Sequence, residues 1–78
     1  MYNVESMYGC LTMTGVRCDL RRNNNSAYDE VIVVYGKGYS RALVYSTYQS
    51  WLVETKTNVY ILSSTDEVMM SLREEGII

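Results

Sequence analysis

Histidine, phenylalanine and proline are all missing from this chain of 78 residues. Without histidine, serine triads, cysteine–histidine dyads and imidazole acid–base catalysis have no carrier. A tetrahedral zinc site would need Cys10, Cys18 and two carboxylates, a poor ligand set. Neither a metal nor a cofactor is expected. Long apolar runs are lacking as well: the longest, Val31–Tyr35, is far short of the ~20 residues that cross a bilayer. The opening Met1-Tyr2-Asn3-Val4-Glu5 has neither the basic start nor the apolar centre of a signal peptide, so the chain is read as cytoplasmic. In a reducing compartment Cys10 and Cys18 are expected to be free thiols behaving as small buried hydrophobes, although a hairpin near Thr14 would let them face each other.

What remains is ordinary for a folded protein. A hydrophobic share of 47% and a charged share of 21% exclude a disordered chain. The length allows a single domain, residues 1–78, because two cores would each be too small to fold unaided. The formal net charge of −2 is unevenly spread. Arg17, Arg21, Arg22, Lys37 and Arg41 outweigh Asp19, Asp29 and Glu30 in the middle of the chain. Glu54, Asp66, Glu67, Glu74 and Glu75 outweigh Lys56 and Arg73 in its second half. A mildly basic end and a mildly acidic end are expected.

Periodicity predicts an α+β fold in the order ββββαβα: a small antiparallel sheet of four to five strands with two helices packed on one face. Tyr2, Val4 and Tyr8 share the parity of a strand over 2–8, and Gly15 suits a hairpin turn at Met13-Thr14-Gly15. Val16, Cys18 and Leu20 alternate with Arg17, Asp19 and Arg21 as a half-buried strand. Arg22 and Asn23 to Ser26 form a loop. Val31–Tyr35, β-branched and unbroken, reads as a strand covered on both faces, turning at Gly36-Lys37-Gly38 into a partner over 39–45. Ser46-Thr47-Tyr48-Gln49 matches a capping box, and Tyr48, Trp51, Leu52 and Thr55 follow at helical spacing, so a helix is expected over 47–56. A strand at 58–62 would then complete a crossover, right-handed if its strands were parallel. Ser64-Thr65-Asp66-Glu67 is a second capping box, opening a helix with Val68, Met69 and Leu72 buried, Gly76 as its stop and Ile77-Ile78 folding back.

Chemical motifs are few. Gly36-Lys37-Gly38-Tyr39-Ser40 fails as a phosphate loop, because Val31 stands where the first glycine belongs and a strand follows. Asp66-Glu67 are explained by capping. Glu74-Glu75 sit at a helix end where the dipole disfavours acids, a cost that Arg73 or a basic partner would offset. Eight tyrosines without a phenylalanine are more telling, since each tyrosine hydroxyl needs a partner or water at its tip. That composition suits rings at the edge of a core or on a binding face, though tyrosine is also a plain strand former. Tyr35, Lys37, Tyr39 and Arg41 gather around one hairpin tip, and Arg17, Arg21 and Arg22 form a second polar group; these are the expected partner-binding residues.

The expected function is therefore non-enzymatic binding to a larger protein or ribonucleoprotein complex. One form of it is a steric inhibitor of the kind phages and mobile elements make, anti-CRISPR proteins included. An RNA or single-stranded nucleic-acid module is the alternative, opposed by net acidity and the lack of a dense basic stripe. A homodimer or larger homo-oligomer joined at the sheet edge or a helix face is the third reading.

Overall fold

The computed structural model describes residues 3–22, 30–47 and 49–78. The elements run α1 (Val4–Met13), β1 (Cys18–Arg22), β2 (Glu30–Tyr35), β3 (Arg41–Ser46), β4 (Trp51–Glu54), β5 (Val59–Leu62) and α2 (Thr65–Glu74). All five strands join one antiparallel meander in the order β1-β2-β3-β4-β5. The fold is α+β, with one antiparallel sheet and two helices, as the sequence predicts. Of the loop expected over 22–26, Arg22 is the last residue of β1 and residues 23–26 lie outside the described residues, as do Tyr2, Tyr28 and Tyr48.

Pairing register decides which side chains share a face. Cys18 pairs with Val34, Leu20 with Ile32, Val34 with Ala42, Val44 with Val53, and Trp51 with Leu62. These residues all point to one side, where Met7 and Leu11 of α1 and Val68 and Leu72 of α2 meet them in a single core. Both helices therefore cover the same face, α1 over the β1–β2 half and α2 over the β4–β5 half. Ile32, Val34, Val44 and Val53 are fully buried beneath them.

Two elements differ from expectation. The segment read as a strand over 2–8 is helix. Val4 and Tyr8 are compatible with both periods, but Met7 and Leu11 add the 3.6-residue stripe, and Asn3 caps the helix by accepting from Ser6 N (3.2 Å). Gly15 has the anticipated positive φ (85°), yet it ends this helix instead of turning a hairpin. The Val16 N–H reaches back to Leu11 O (3.0 Å), and α2 stops the same way: Gly76 has φ 72° and Ile77 N–H donates to Leu72 O (2.9 Å). In each helix the residue beyond the glycine is thus hydrogen-bonded over the last buried leucine.

The helix expected over 47–56 is instead a turn followed by β4. Thr47 Oγ1 accepts from Ser50 N (2.9 Å) while Thr47 N–H donates to Ser50 O (2.8 Å). Eight residues on, Thr55 repeats the arrangement with Asn58: Oγ1 accepts from Asn58 N (3.0 Å), and Thr55 N–H donates to Asn58 O (2.8 Å). Two threonine-built turns thus bracket four residues whose exposure alternates as a strand's does. There is accordingly no crossover connection; β3, β4 and β5 are joined by hairpins.

α2 is built as expected. Ser64 Oγ accepts from Glu67 N (3.2 Å), and the Glu67 carboxylate accepts from the Ser63 hydroxyl (2.7 Å) and the Ser64 hydroxyl (3.1 Å). Ile77 folds back into the core and Ile78 is partly exposed. The awkward acid at the helix end is satisfied without a basic partner: Glu75 accepts from Thr55 Oγ1 (2.6 Å) and Asn58 Nδ2 (3.0 Å), tying α2 to the β4–β5 turn.

A candidate interaction surface on the open face of the sheet

The face turned away from the helices is assembled from the alternate positions of the same strands. One row across it runs Asp19, Val33, Leu43, Glu54 and Val59. A second holds Arg21 opposite Val31, and Tyr45, Leu52 and Ile61 in line; a third pairs Tyr35 with Arg41. No helix among the described elements lies over these residues. Even so, Val31 and Val33 are buried and Leu43, Tyr45 and Leu52 are half-buried; the apolar residues of this face become exposed at β5, with Val59 61% and Ile61 74% exposed. A band of apolar side chains therefore runs from the middle of the sheet to its β5 edge. β5 pairs only with β4, which leaves its outer edge without a strand partner among the described residues.

The opposite corner of the face is polar and internally bonded. The Tyr35 hydroxyl donates to Asp19 Oδ2 (2.7 Å) and accepts from Arg21 Nη2 (3.0 Å). Arg21 stands 3.8 Å from the same carboxylate, and the Arg41 guanidinium lies 5.3 Å from the centre of the Tyr35 ring. Tyr35 is thereby engaged at its tip and on its ring, and its neighbours hold it in place.

Of the residues expected to bind a partner, Tyr35, Arg21 and Arg41 are brought together here. Arg17 and Lys37 meet Tyr35 at the end of the sheet instead, along a cleft that also includes Arg73 of α2. Tyr39, at the tip of the β2–β3 turn, is 99% exposed and lines a shallow hollow with Arg41 and Lys56. Arg22 is not part of either group: it is the last residue of β1, opposite Glu30, at the far end of that strand. The apolar band itself escaped sequence reading, as did Arg73. Its signal was there in Val59-Tyr60-Ile61-Leu62, a strand apolar on both faces.

The Cys18 thiol is pushed up by burial and, secondarily, by the Asp19 carboxylate, which keeps it protonated near neutral pH. Both cysteines are free, but Cys10 is exposed, contrary to the expectation of two buried thiols, because it lies off the Met7–Leu11 stripe of α1. No group of three potential metal ligands occurs among the described residues. Nor is any helix among them long and apolar enough to cross a membrane.

The fold and face define a small α+β domain with a helix-covered side and an apolar open side. Comparison with protein families, curated proteins and solved structures returns no match for this chain.

Proposed function

We propose that this protein is a non-enzymatic binding module that lays the open face of its sheet on an apolar surface of a larger protein. The observation that carries the reading is the exposure of Val59 and Ile61 beside Leu43, Leu52 and Tyr45, at one end of a face whose other end presents Arg21 and Arg41. Contiguous apolar surface rimmed by polar groups marks interaction sites, and arginine and tyrosine dominate interface energetics. The matching partner surface is apolar with acidic side chains at one rim, opposite the two arginines. Steric inhibition of a host complex, as practised by phage and mobile-element inhibitors such as anti-CRISPR proteins, is the form of this activity we favour for a chain without histidine.

Nucleic acid fits this face less well. The Tyr35 ring is under Arg41, and Asp19 and Glu54 lie in the central row where phosphates would pass. A tagged pull-down from host extract, with and without nuclease, decides between the two. A stoichiometric protein partner should survive nuclease and be lost with Ile61→Glu and with the pair Tyr39→Ala and Arg41→Ala. Complete loss on nuclease treatment transfers the reading to nucleic acid. Self-capture, with a dimer by light scattering that Ile61→Glu dissolves, transfers it to a second copy of this chain.

A further inference from the structure

A separate feature lies at the end of the sheet, where the exit of α1, the β2–β3 turn and the last turn of α2 converge. They enclose a cleft of about 600 Å³, within the ~300–1,000 Å³ usual for ligand sites. Arg17, Lys37 and Arg73 line it, and no aspartate or glutamate among the described residues does. Three of the seven cationic side chains of an acidic protein are thus gathered at one cleft. Among the described residues none of the three has an ion-pair partner.

Each is presented on a fixed backbone. Arg17 O accepts from Tyr35 N (2.9 Å), anchoring the approach to β1 against β2. Lys37 sits in a turn closed by Gly36 N–H to Ser40 O (2.8 Å) and Ser40 N–H to Lys37 O (3.2 Å). Arg73 O accepts from Gly76 N (3.0 Å) in the cap of α2. Among the other lining residues, Val16, Met69 and Ile77 are apolar.

We propose that this cleft binds carboxylates carried on an acidic, apolar-flanked peptide segment of a partner protein. The cations supply charge complementarity that no side chain of the described residues uses, and Val16, Met69 and Ile77 receive the neighbouring apolar side chains. A nucleic acid is a poorer match. Tyr35 is the only aromatic residue among the described residues lining the cleft and its ring lies under Arg41, while Glu74 and Glu75 follow Arg73 directly and repel a long polyanion. The inference does not rest on the open-face reading, since a peptide in the cleft needs no contact with Ile61.

The test uses the full chain and a labelled short peptide alternating leucine and glutamate, read by fluorescence anisotropy and amide chemical shifts. Its glutamine counterpart and a short oligouridylate serve as controls. The glutamate peptide should bind, shift the amides around Arg17, Lys37, Met69 and Arg73, and lose about tenfold in affinity with Arg73→Ala or Lys37→Ala. Thermal melts of these exposed-site variants confirm that they fold, and Ile61→Glu should leave peptide binding unchanged. Equal binding of the glutamine peptide, no binding at millimolar concentration, or affinity untouched by both alanine variants would overturn the proposal. Preferential oligouridylate binding at the same residues would overturn it in favour of phosphate.

Discussion

Both faces of the sheet carry valine and leucine side chains, but the helices among the described residues roof only one. Under the helices, Ile32, Val34, Val44 and Val53 are fully buried with Met7, Leu11, Val68 and Leu72 packed over them. On the other side the apolar side chains are buried or half-buried in the middle and exposed at β5. Val31 and Val33 are buried, whereas a residue of β5 has a strand neighbour on one side only among the described residues. The covered face is therefore where stability resides, and the open face is where a partner would gain by association.

The sharpest way to break that comparison is to truncate one residue on each side. Leu72→Ala should cost about 2–5 kcal/mol, because it leaves a cavity between α2 and the sheet. For a chain of this length total stability is expected at about 4–12 kcal/mol, so that single loss is close to unfolding. Ile61→Ala should cost about 1 kcal/mol or less, the size of a cross-strand pair with Leu52. Urea unfolding of the two variants measures both. Equal costs would mean that Ile61 is covered in solution, and the open face would no longer be open.

A pair of glycines sharpens the contrast within the covered side, which is tight in one place and slack in another. At Gly36 an added Cβ would lie 2.9 Å from Ile77 O and 3.1 Å from Ile77 Cα, both backbone atoms, where the chain after α2 crosses the β2–β3 turn. Gly36→Ala should therefore destabilise by about 1–3 kcal/mol, as overpacking does. Gly9, in the middle of α1, has nothing within 4 Å of the same position. Gly9→Ala should stabilise by about 0.5–1 kcal/mol through helix propensity alone. Thermal melts of the two variants should move in opposite directions, and a shared sign would refute the placement of Ile77 over Gly36.

How much of this was legible in the sequence follows from how local each signal is. α2 could be read residue by residue, because Ser64, Glu67 and Gly76 act on backbone groups within one turn of themselves. β1, β2, β3 and β5 could be read from alternation or unbroken β-branching. α1 and β4 could not, since their short patterns satisfy two periods at once. Val4 and Tyr8 share a face in either structure, and Ser46 three residues before Gln49 imitates a cap that Thr47 and Ser50 pre-empt. That second misreading hid the open face. Once β4 is a strand the sheet has five members, and Leu52, Val59 and Ile61 fall on a side that no helix among the described residues covers. The charged members of the site were legible because exposed arginines and turn lysines declare themselves. Arg73 joins Arg17 and Lys37 only through packing of elements distant in sequence.

The smallest expected effect concerns what clamps the roof at the β4–β5 half. Glu67 is held below the usual carboxylate range first by the Ser63 and then by the Ser64 hydroxyl, and Glu75 first by Thr55 and then by Asn58. A carboxylate whose pKa is lower folded than unfolded stabilises the fold fully above its unfolded value, and that contribution fades as pH falls through the folded value. Stability should therefore decline on acidification below the ordinary glutamate range, through protonation at both ends of α2. Tyr60 works in the alkaline direction: partial burial, then the Glu75 charge, push its phenol up, so its contribution is lost as pH rises through that raised value. In the double variant Glu67→Gln and Glu75→Gln the acid limb should flatten. Its deficit in melting temperature against the parent chain should be largest near neutral pH and shrink toward pH values where the parent's carboxylates are protonated. A deficit independent of pH would place the acid sensitivity elsewhere and leave α2 held by packing alone.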